Sequence, residues 1–360
     1  MVEIPALAQT RVVPLTRIRR ERLLPMRGEV VATIGSRVDP LDIIARSKGL
    51  GHLRPVPVGR YMNLSETALP KYLLKKPGDE VAARDIIASK PELMGTLQRI
   101  YRAPGAGRVA AVQGTWLTVE LAEAPVELKA LYRGSVINVM PSVGAVVEAT
   151  GSLVQGVWGS GGEGYGVLKK IVDAPTEVLD ADKIDVSARG AVLLAGAGVT
   201  EQTLRRSSHE RVAGIIVGGL APNLRAVIAE LGLPVLVTEG FGERAMAAPI
   251  FDLLAAHQGE ETSLNTTTSA RGGVRPEIFI PAISMSGAPL DPQSLSPLVA
   301  QVGAAVRVLD GIHEGALGKI ANVPEFPQPM ESGVSAWGAD IQLAGGEQVF
   351  VPWQNLELIG

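Results

Sequence analysis

The sequence contains no cysteine and few histidines. The absence of cysteine from 360 residues excludes disulfides, thiolate metal sites and a cysteine nucleophile. The four histidines are far apart, and none lies at metal-ligand spacing from another, so we expect no metal site. No stretch approaches the roughly 18 consecutive apolar residues that a membrane-spanning helix needs.

Neither sign of charge dominates the chain. A formal net charge of −3 argues against a nucleic-acid binder driven by charge alone. The first thirteen residues lack the basic start and cleavage site of a secretory signal. We therefore expect a cytoplasmic globular protein, and its length predicts two or three domains.

Glycine and proline are abundant, with 41 and 25 residues against four Trp, five Tyr and five Phe. This balance favours many short strands and turns over long helices. The pattern Gly-x-x-Val-x-x-x-Asp-Ile-Ile-Ala occurs at residues 35–45 and again at residues 78–88. A glycine turn followed by an Asp-led apolar strand, present twice, predicts two half-motifs that fold into one small β-structure.

The residues around the second copy resemble the biotinyl/lipoyl-like barrel-sandwich hybrid family. Residues 76–81 (Lys-Pro-Gly-Asp-Glu-Val) are similar to the family's turn, and residues 85–88 to the strand after it. Residues 103–109 are similar to the entry to the second half of that fold. The resemblance covers roughly residues 27–155 and implies a compact β barrel-sandwich. In carrier members of the family, a lysine on an exposed hairpin bears the cofactor.

The carrier lysine is missing from both copies. In register it falls at Met94 in the second copy and at Gly51 in the first. Lys48 and Lys90 lie nearby but lack the flanking residues of a carrier site. We therefore expect no cofactor and interpret the module as a rigid platform.

Six arginines and one acid occur between residues 11 and 27. One interpretation is a basic arm that grips phosphates. The other is an edge strand protected by its charges. The apolar Val12, Val13, Leu15 and Ile18 are interleaved with the arginines, which favours the edge strand.

Between about residues 156 and 262, apolar strand signals alternate with helix signals. Three apolar runs predict strands: residues 191–195, 212–217 and 234–237. Helices are predicted after the first two runs, with Thr200 as the N-cap of one and Gly232 as the stop of the other. Continuous apolar strands separated by single helices predict a central parallel α/β domain.

In open α/β sheets, ligands bind at the carboxyl ends of the strands. Glycine-rich loops that precede helices there hold anions with backbone N–H groups, and an arginine adds a bidentate clamp. The candidate anion-binding residues are Gly196, Gly198, Thr200, Gly218, Gly219, Thr238, Glu239 and Arg244. The alternative is that the glycines make tight turns and that Glu239 caps a helix.

Residues 218–234 resemble a stretch of phosphohistidine swivelling domains, from the Gly-Gly pair to Gly-x-Pro. Asn223 occupies the position of that family's phosphorylated histidine, and an amide has no ring nitrogen to accept a phosphoryl group. The resemblance implies a shared fold without the activity. No residue is assigned a catalytic role.

Residues 306–320 resemble the KOW motif of SH3-like barrels. A hairpin pattern at residues 339–352 and a closing strand at residues 355–358 agree with that family, so the resemblance covers about residues 302–360. It implies an RNA or protein partner. The candidate partner-binding residues are Arg307, Asp310, Gly311, His313, Gly315, Gly318 and Lys319. This loop is poorer in basic residues than an RNA site requires, so protein contact is at least as well supported.

Together these patterns predict a multi-domain protein of the α/β plus all-β class. The expected parts are an N-terminal β barrel-sandwich (1–155), a central parallel α/β domain (156–262), a linker with connecting strands (263–301) and a C-terminal SH3-like barrel (302–360). The first functional hypothesis is a non-enzymatic interaction or scaffold protein that docks a protein or RNA partner through the barrel. The second is an enzyme or accessory factor that binds a phosphorylated or anionic small molecule at the strand-end loops.

Overall fold

The protein is mostly β. The computed structural model describes residues 7–47, 52–92, 96–122, 126–269, 273–282, 298–330 and 332–360. The structure is 47% strand and 13% helix, and no described helix is long and apolar enough to cross a membrane. The carrier-lysine positions Gly51 and Met94, and also Lys48, lie outside the described residues.

Two of the strands in the first 155 residues are long, and the others are short. The strands are β1 (Ala8–Thr10), β2 (Val12–Leu23), β3 (Glu29–Val30), β4 (Arg37–Val38), β5 (Ile43–Ser47), β6 (His52–Val56), β7 (Glu80–Val81), β8 (Ile86–Glu92), β9 (Leu97–Arg102), β10 (Gly107–Gln113), β11 (Trp116–Leu121), β12 (Val126–Lys129), β13 (Gly134–Met140) and β14 (Gly144–Gln155). A short helix, α1 (Val58–Met62), and a 3-10 turn at Leu69–Lys71 lie between β6 and β7.

The rest of the chain carries the longer helices and a second group of strands. The middle strands are β15 (Trp158–Gly159), β16 (Glu163–Lys170), β17 (Val178–Leu179), β18 (Val192–Leu194), β19 (Gly198–Val199), β20 (Gly214–Leu220), β21 (Val235–Phe241), β22 (Glu261–Asn265) and β23 (Glu277–Pro281). The helices among them are α2 (Glu201–His209), α3 (Leu224–Leu231) and α4 (Ala248–Ala256). The last strands are β24 (Ala305–Val308), β25 (Leu317–Asn322), β26 (Gln328–Pro329), β27 (Ser335–Ala336), β28 (Gly338–Leu343), β29 (Gln348–Pro352) and β30 (Leu356–Ile359).

The two copies of the repeated pattern form the same local structure. Gly35 and Gly78 have φ of +85° and +98°, which favours glycine. Their amides donate hydrogen bonds of 2.8 Å to the carbonyls of Val136 and Val109 respectively. These two valines lie in the second-half strands of each copy, β13 and β10, so the repeat extends beyond the pattern seen in the sequence.

The second halves of the two copies also match. In one copy β4 pairs with β13 at Gly134, and in the other β7 pairs with β10 at Gly107. An added Cβ at Gly134 would meet the carbonyl oxygen of Glu148 at 2.1 Å, and one at Gly107 would meet that of Glu120 at 2.0 Å. Both hairpins, β13–β14 and β10–β11, carry a register shift just after this point. Glycine is therefore required for close strand approach at the same place in each copy.

The copies nevertheless belong to different hydrophobic cores. Ile44 packs in one buried cluster with Tyr132 and Phe279, whereas Ile87 packs in another with Leu117. The expectation that the two half-motifs form a single β-structure was therefore wrong. Each motif finds its second half elsewhere in the chain.

The second copy is inserted in the hairpin of the first. β5 pairs with β12, with Ser47 opposite Val126, and the chain between them holds the second copy. At the base of that inserted module, β6 pairs with β11, with His52 opposite Leu121. The two ends of the insertion are thus adjacent, which lets a folded unit replace a hairpin tip without separating β5 from β12.

One mixed sheet of eleven strands forms the centre of the molecule. Its order is β15, β21, β20, β18, β16, β22, β23, β14, β13 and β4, with β2 paired to β14. The neighbours from β16 through β18 and β20 to β21 are parallel, and all its other pairs are antiparallel. A separate central parallel α/β domain is not evident, because β16 also pairs with β22 and so joins the parallel strands to the antiparallel ones.

The helices beside the parallel strands begin and end close to the predicted positions. The Thr200 hydroxyl accepts the Thr203 N–H at 3.1 Å and caps α2. Gly232, with φ of +63°, ends α3. All seven residues of β20 are buried, as the continuous apolar run predicts for a strand covered on both faces.

The arginine-rich segment forms β2, which pairs along one side of β14. Arg19 pairs with Glu148, Arg20 binds Glu277 through two nitrogens, and Arg22 binds Glu163 in the same way at 2.7 and 2.8 Å. These three arginines are engaged by carboxylates within the molecule. The arrangement agrees with the interpretation of this segment as an edge strand.

The C-terminal strands form a six-stranded sheet with its own buried cluster around Trp353. Its order is β1, β30, β24, β25, β28 and β29. The N-terminal strand β1 lies parallel to β30, with Ala8 opposite Glu357, and the remaining pairs are antiparallel. The first described strand of the chain therefore completes the C-terminal sheet.

Candidate functional site

The predicted anion-binding glycines lie where the parallel strands end, but their backbone donors are engaged. The Gly218 N–H donates to the Gly196 carbonyl at 2.8 Å, and the Gly219 N–H donates to the Ala197 carbonyl at 3.1 Å. An added Cβ at either residue would meet backbone atoms of residues 242–246 within 2.7 Å. These glycines allow two loops to pack closely, and they present no free N–H groups for an anion.

The other polar residues of that predicted set also have internal roles. Gly198 lies in β19, which pairs with β17, and Thr200 caps α2. Thr238 is fully buried in β21. The Glu239 carboxylate accepts the Ala247 N–H at 2.9 Å at the start of α4, as the helix-capping alternative predicts.

Arg307 links the two sites that the sequence predicts separately. Its side chain is 3% exposed, and Nη2 lies 2.9 Å from Oε2 of Glu239, whose side chain is 6% exposed. Nη1 donates to Oε2 of Glu357 at 2.9 Å. Glu357 in turn binds Arg275 at 2.9 Å and the Thr10 hydroxyl at 2.7 Å. The mixed sheet and the C-terminal sheet are thus joined by an ionic cluster of the buried Arg307, Glu239 and Glu357 with the partly exposed Arg275.

The contact between Arg307 and Glu239 is ionic and is not a well-aligned hydrogen bond. Nη2 is close to the carboxylate, but its N–H is not directed at an acceptor, and Nε also has none. Buried polar groups are nearly always hydrogen-bonded, so two such N–H groups on one side chain are unusual.

A cleft of about 510 Å³ lies above this cluster, between the end of β21 and the C-terminal sheet. Arg244 spans its mouth, where Nη2 pairs with Glu314 and Nε donates to the Phe241 carbonyl at 2.9 Å. The lining residues are Glu239, Phe241, Gly242, Glu243, Arg244, Ala245, Arg307, Glu314 and Gly315. Two members of the predicted anion set and two members of the predicted partner set therefore meet in one cleft.

The remaining predicted partner residues do not line this cleft. The Asp310 carboxylate accepts the Gly311 N–H at 2.9 Å, and both residues are exposed. His313 lies 4.0 Å from Glu347. Gly318 and Lys319 border a separate apolar groove of about 450 Å³ beside Leu343. Between residues 307 and 319, Arg307 is therefore packed against the mixed sheet, whereas Asp310 and Gly311 are exposed to solvent.

An exposed hairpin that the sequence patterns did not indicate lies between β25 and β28 and forms a two-stranded sheet of its own. Its strands β26 and β27 pair, and the Met330 N–H donates to the Val334 carbonyl at 2.9 Å. Phe326, Val334 and Trp337 on it are 72%, 65% and 42% exposed. We call the described residues 326–330 and 332–337 the apolar hairpin. The signal for it was present in the sequence, since large apolar residues occur here without a strand pattern that would bury them.

Ser152, His257 and Glu260 form a hydrogen-bonded chain that sequence reasoning also missed. The Ser152 Oγ lies 2.8 Å from His257 Nε2, and Nδ1 lies 2.9 Å from a carboxylate oxygen of Glu260. These are the distances of a serine nucleophile, a base and an orienting acid. However, Oγ also donates to the Pro14 carbonyl at 2.6 Å, and Ser152 is 4% exposed within β14. The chain joins the end of α4 to β2 and β14, and it gives a substrate no access to the hydroxyl.

A second buried carboxylate, that of Glu277 in β23, belongs to the mixed sheet. The Tyr132 hydroxyl donates to Glu277 at 2.5 Å, and Tyr132 is 1% exposed. Burial, together with the adjacent Glu277 carboxylate, raises the pKa of Tyr132 far above its ordinary value. Within the inserted module, the Lys90 amine donates to the Met62 carbonyl at 3.1 Å.

Comparison of the chain with protein-family models gave no match. Comparisons with curated proteins and with solved structures gave no match either.

Proposed function

We propose that this chain is a non-enzymatic docking protein that binds a protein partner through the apolar hairpin of its C-terminal sheet. The observation that carries the proposal is the exposure of Phe326, Val334 and Trp337 on one short hairpin. Exposed aromatic and apolar side chains that lie together are typical of interaction surfaces. The resemblance of residues 302–360 to KOW-type barrels, which bind proteins or RNA, supports the same assignment.

The charge around the hairpin favours protein over RNA. Residues 320–360 contain no lysine or arginine and five acids, so nothing in this stretch neutralises phosphates. Of the cations predicted to contact a partner, Arg307 is buried against Glu239 and Glu357. An apolar surface beside the exposed Glu325 complements a partner segment that has apolar residues and positive charges.

Because the C-terminal sheet is joined to the mixed sheet by ion pairs, a docking surface held in a fixed position is better supported than one on a flexibly tethered module. The buried Arg307 cluster and the Arg244–Glu314 pair join that sheet to the mixed sheet. A preorganised surface avoids the entropy cost of ordering a mobile module when the partner binds.

Selection of peptides from a random display library on the 360-residue chain tests the proposal. We expect the enriched peptides to combine apolar residues with lysine or arginine, and to bind more weakly as salt is raised. Replacing both Phe326 and Trp337 with serine should weaken binding at least about tenfold, the effect of losing large anchors. The matched control is Ile312→Ser, because Ile312 is 95% exposed on a different loop.

Enrichment of acidic peptides, or equal loss of binding in the control, would overturn the proposal. So would salt-dependent binding of single-stranded RNA that Lys319→Ala weakens and the hairpin variant leaves unchanged.

A further inference from the structure

A groove of about 450 Å³ lies between the first turn of α4 and one face of the C-terminal sheet. Pro249 of α4 forms one wall, and residues of β24, β25, β28 and β30 and of the turn after β28 form the other. The volume is within the range of small-molecule sites, which often lie between two packed parts of a protein. The groove shares no lining residue with the cleft beside Glu239.

The strand register explains why this face of the sheet is partly open. Arg307 and Leu317 lie opposite each other, and both pack against the mixed sheet. Residues two positions apart along a strand share a face, so Ala305 and Lys319, which are also paired, point the same way. Lys319 in turn lies opposite Gln342 of β28. These last three residues are exposed, so the face continues into a row that the mixed sheet does not cover.

The groove is lined mainly by hydrocarbon. The apolar side chains along it include those of Pro249, Ala305, Leu317 and Ile359, and among the described lining residues there is neither an acid nor an aromatic ring. Ala305 is small and leaves the space beside it unfilled. Because transfer of apolar surface out of water is favourable, this part of the groove favours an aliphatic ligand.

Two polar side chains without partners lie side by side on the same face. Lys319 alone is charged among the described residues that line the groove. Neither its ammonium group nor the side-chain amide of Gln342 has a hydrogen bond or ion pair with the described part of the chain. Both groups donate hydrogen bonds, and a carboxylate accepts from both. The polar part of the groove therefore favours an anionic head group.

We propose that this groove binds an aliphatic carboxylate of the fatty-acid type, with its carboxylate at Lys319 and Gln342 and its hydrocarbon chain along Leu317 and Ile359. An aliphatic amine fits less well, because no acid of the described chain lines the groove. A nucleotide fits less well too, since no described aromatic side chain lines it to stack on a base. The proposal does not depend on the docking function, because the groove and the apolar hairpin share no residue.

Thermal unfolding of the 360-residue chain, followed by tryptophan fluorescence, tests the site with hexanoate, octanoate, octylamine and 1-octanol below their micellar concentrations. At about ten times its Kd, octanoate should raise the Tm by about 2 °C. Hexanoate should bind about tenfold more weakly, because it buries two fewer methylene groups. Octylamine and 1-octanol should raise the Tm less than octanoate at the same concentration, because neither supplies an anion for Lys319.

The variant Lys319→Gln should raise the Kd of octanoate about tenfold by removing the cation. Lys319 is exposed, so this variant is expected to fold, and its Tm without ligand checks that. Lys71→Gln, at an exposed cation of the inserted module, is the matched control and should leave the Kd unchanged. Ala305→Phe places a ring in the groove and should abolish octanoate binding.

A Kd unaltered by Lys319→Gln, equal shifts from octanoate and 1-octanol, or equal Kd values for hexanoate and octanoate would overturn the proposal. So would the absence of a shift with either acid. A display-selected peptide whose binding Lys319→Gln weakens would then identify a protein segment as the occupant.

Discussion

Arg307 joins the C-terminal sheet to the mixed sheet. It is buried between Glu239 and Glu357, which come from different sheets. Removing one partner of a buried ion pair leaves an uncompensated charge in a poorly solvated place. The residue therefore matters more for the junction than for the partner contact that the sequence predicts for it.

Replacing Arg307 with methionine should lower the free energy of unfolding by about 3–5 kcal/mol, because Glu239 and Glu357 lose their shared cation. Urea denaturation of the purified variant measures this. The control Arg17→Met, at an exposed position of β2, should change stability by less than about 0.5 kcal/mol. A loss below about 1 kcal/mol at Arg307 would show that the cluster does not hold the two sheets together.

The raised pKa of Tyr132 has a consequence at alkaline pH. Above a pH of about 10 the unfolded chain ionises this tyrosine, whereas the folded protein keeps it protonated. Its contribution to stability is therefore complete below the unfolded pKa and is lost as the pH rises beyond it. Tyr132→Phe should remove that part of the pH dependence, up to about 1.4 kcal/mol per pH unit.

Equilibrium unfolding at several alkaline pH values measures the slope. Tyr61→Phe is the matched control, because Tyr61 is 55% exposed and should leave the slope unchanged. Equal slopes for the wild type and Tyr132→Phe would mean that Tyr132 is not held protonated by the fold.

At single positions, local chemistry was predictable and long-range partners were not. Thr200 as an N-cap and Gly232 as a helix stop follow from local rules, and both are confirmed. The hydrogen bond from the Gly218 N–H to the Gly196 carbonyl depends on how two loops pack. The Arg307–Glu239 contact joins residues 68 positions apart, and no spacing in the sequence indicates it.

Among the elements, the repeated unit is the feature that the sequence revealed best. The turn and the Asp-led strand are where the pattern predicts them, and their second halves, β13 and β10, share only the shorter pattern Gly-x-Val-x-x-Val. The shared register with Gly134 and Gly107 emerges only from the strand pairing. The parallel strands were predictable from buried apolar runs, whereas their junction with antiparallel strands was not, because β16 meets β22 through distant pairing.

The same glycine substitution should destabilise either copy of the repeat to a similar extent, and each substitution should affect only the core of its own copy. Gly107→Ala and Gly134→Ala each place a Cβ against a carbonyl oxygen of the paired strand, so each should cost more than about 2 kcal/mol. Hydrogen exchange should accelerate near Val109 for the first variant and near Val136 for the second.

Gly78→Ala is the milder control, since its added Cβ meets nothing within 4 Å and only its φ of +98° is strained. It should cost about 1–2 kcal/mol. Exchange that accelerates equally in both cores after a single substitution would contradict their separation.

At the scale of the whole molecule, the inserted module should be separable. Its core around Ile87 and Leu117 is distinct from the core around Ile44, and its ends meet at the β6–β11 pair. We expect residues 52–122 to fold alone. Replacing residues 48–125 by a short Gly-containing turn should leave the rest folded, because Ser47 and Val126 are already paired. Circular dichroism and cooperative urea unfolding of both proteins measure this, and an unfolded fragment would show that the cores depend on each other.

For the whole protein, we propose that the C-terminal sheet is fixed to the mixed sheet and offers the apolar hairpin to a protein partner. Site-specific photo-crosslinking in the native cell tests it most directly, with the photoreactive group placed at Phe326 or, for comparison, at Ile312. We expect position 326 alone to crosslink to a protein, through a segment of apolar and basic residues. Crosslinks to RNA, equal crosslinking from both positions, or an acidic segment at the crosslink would contradict the claim.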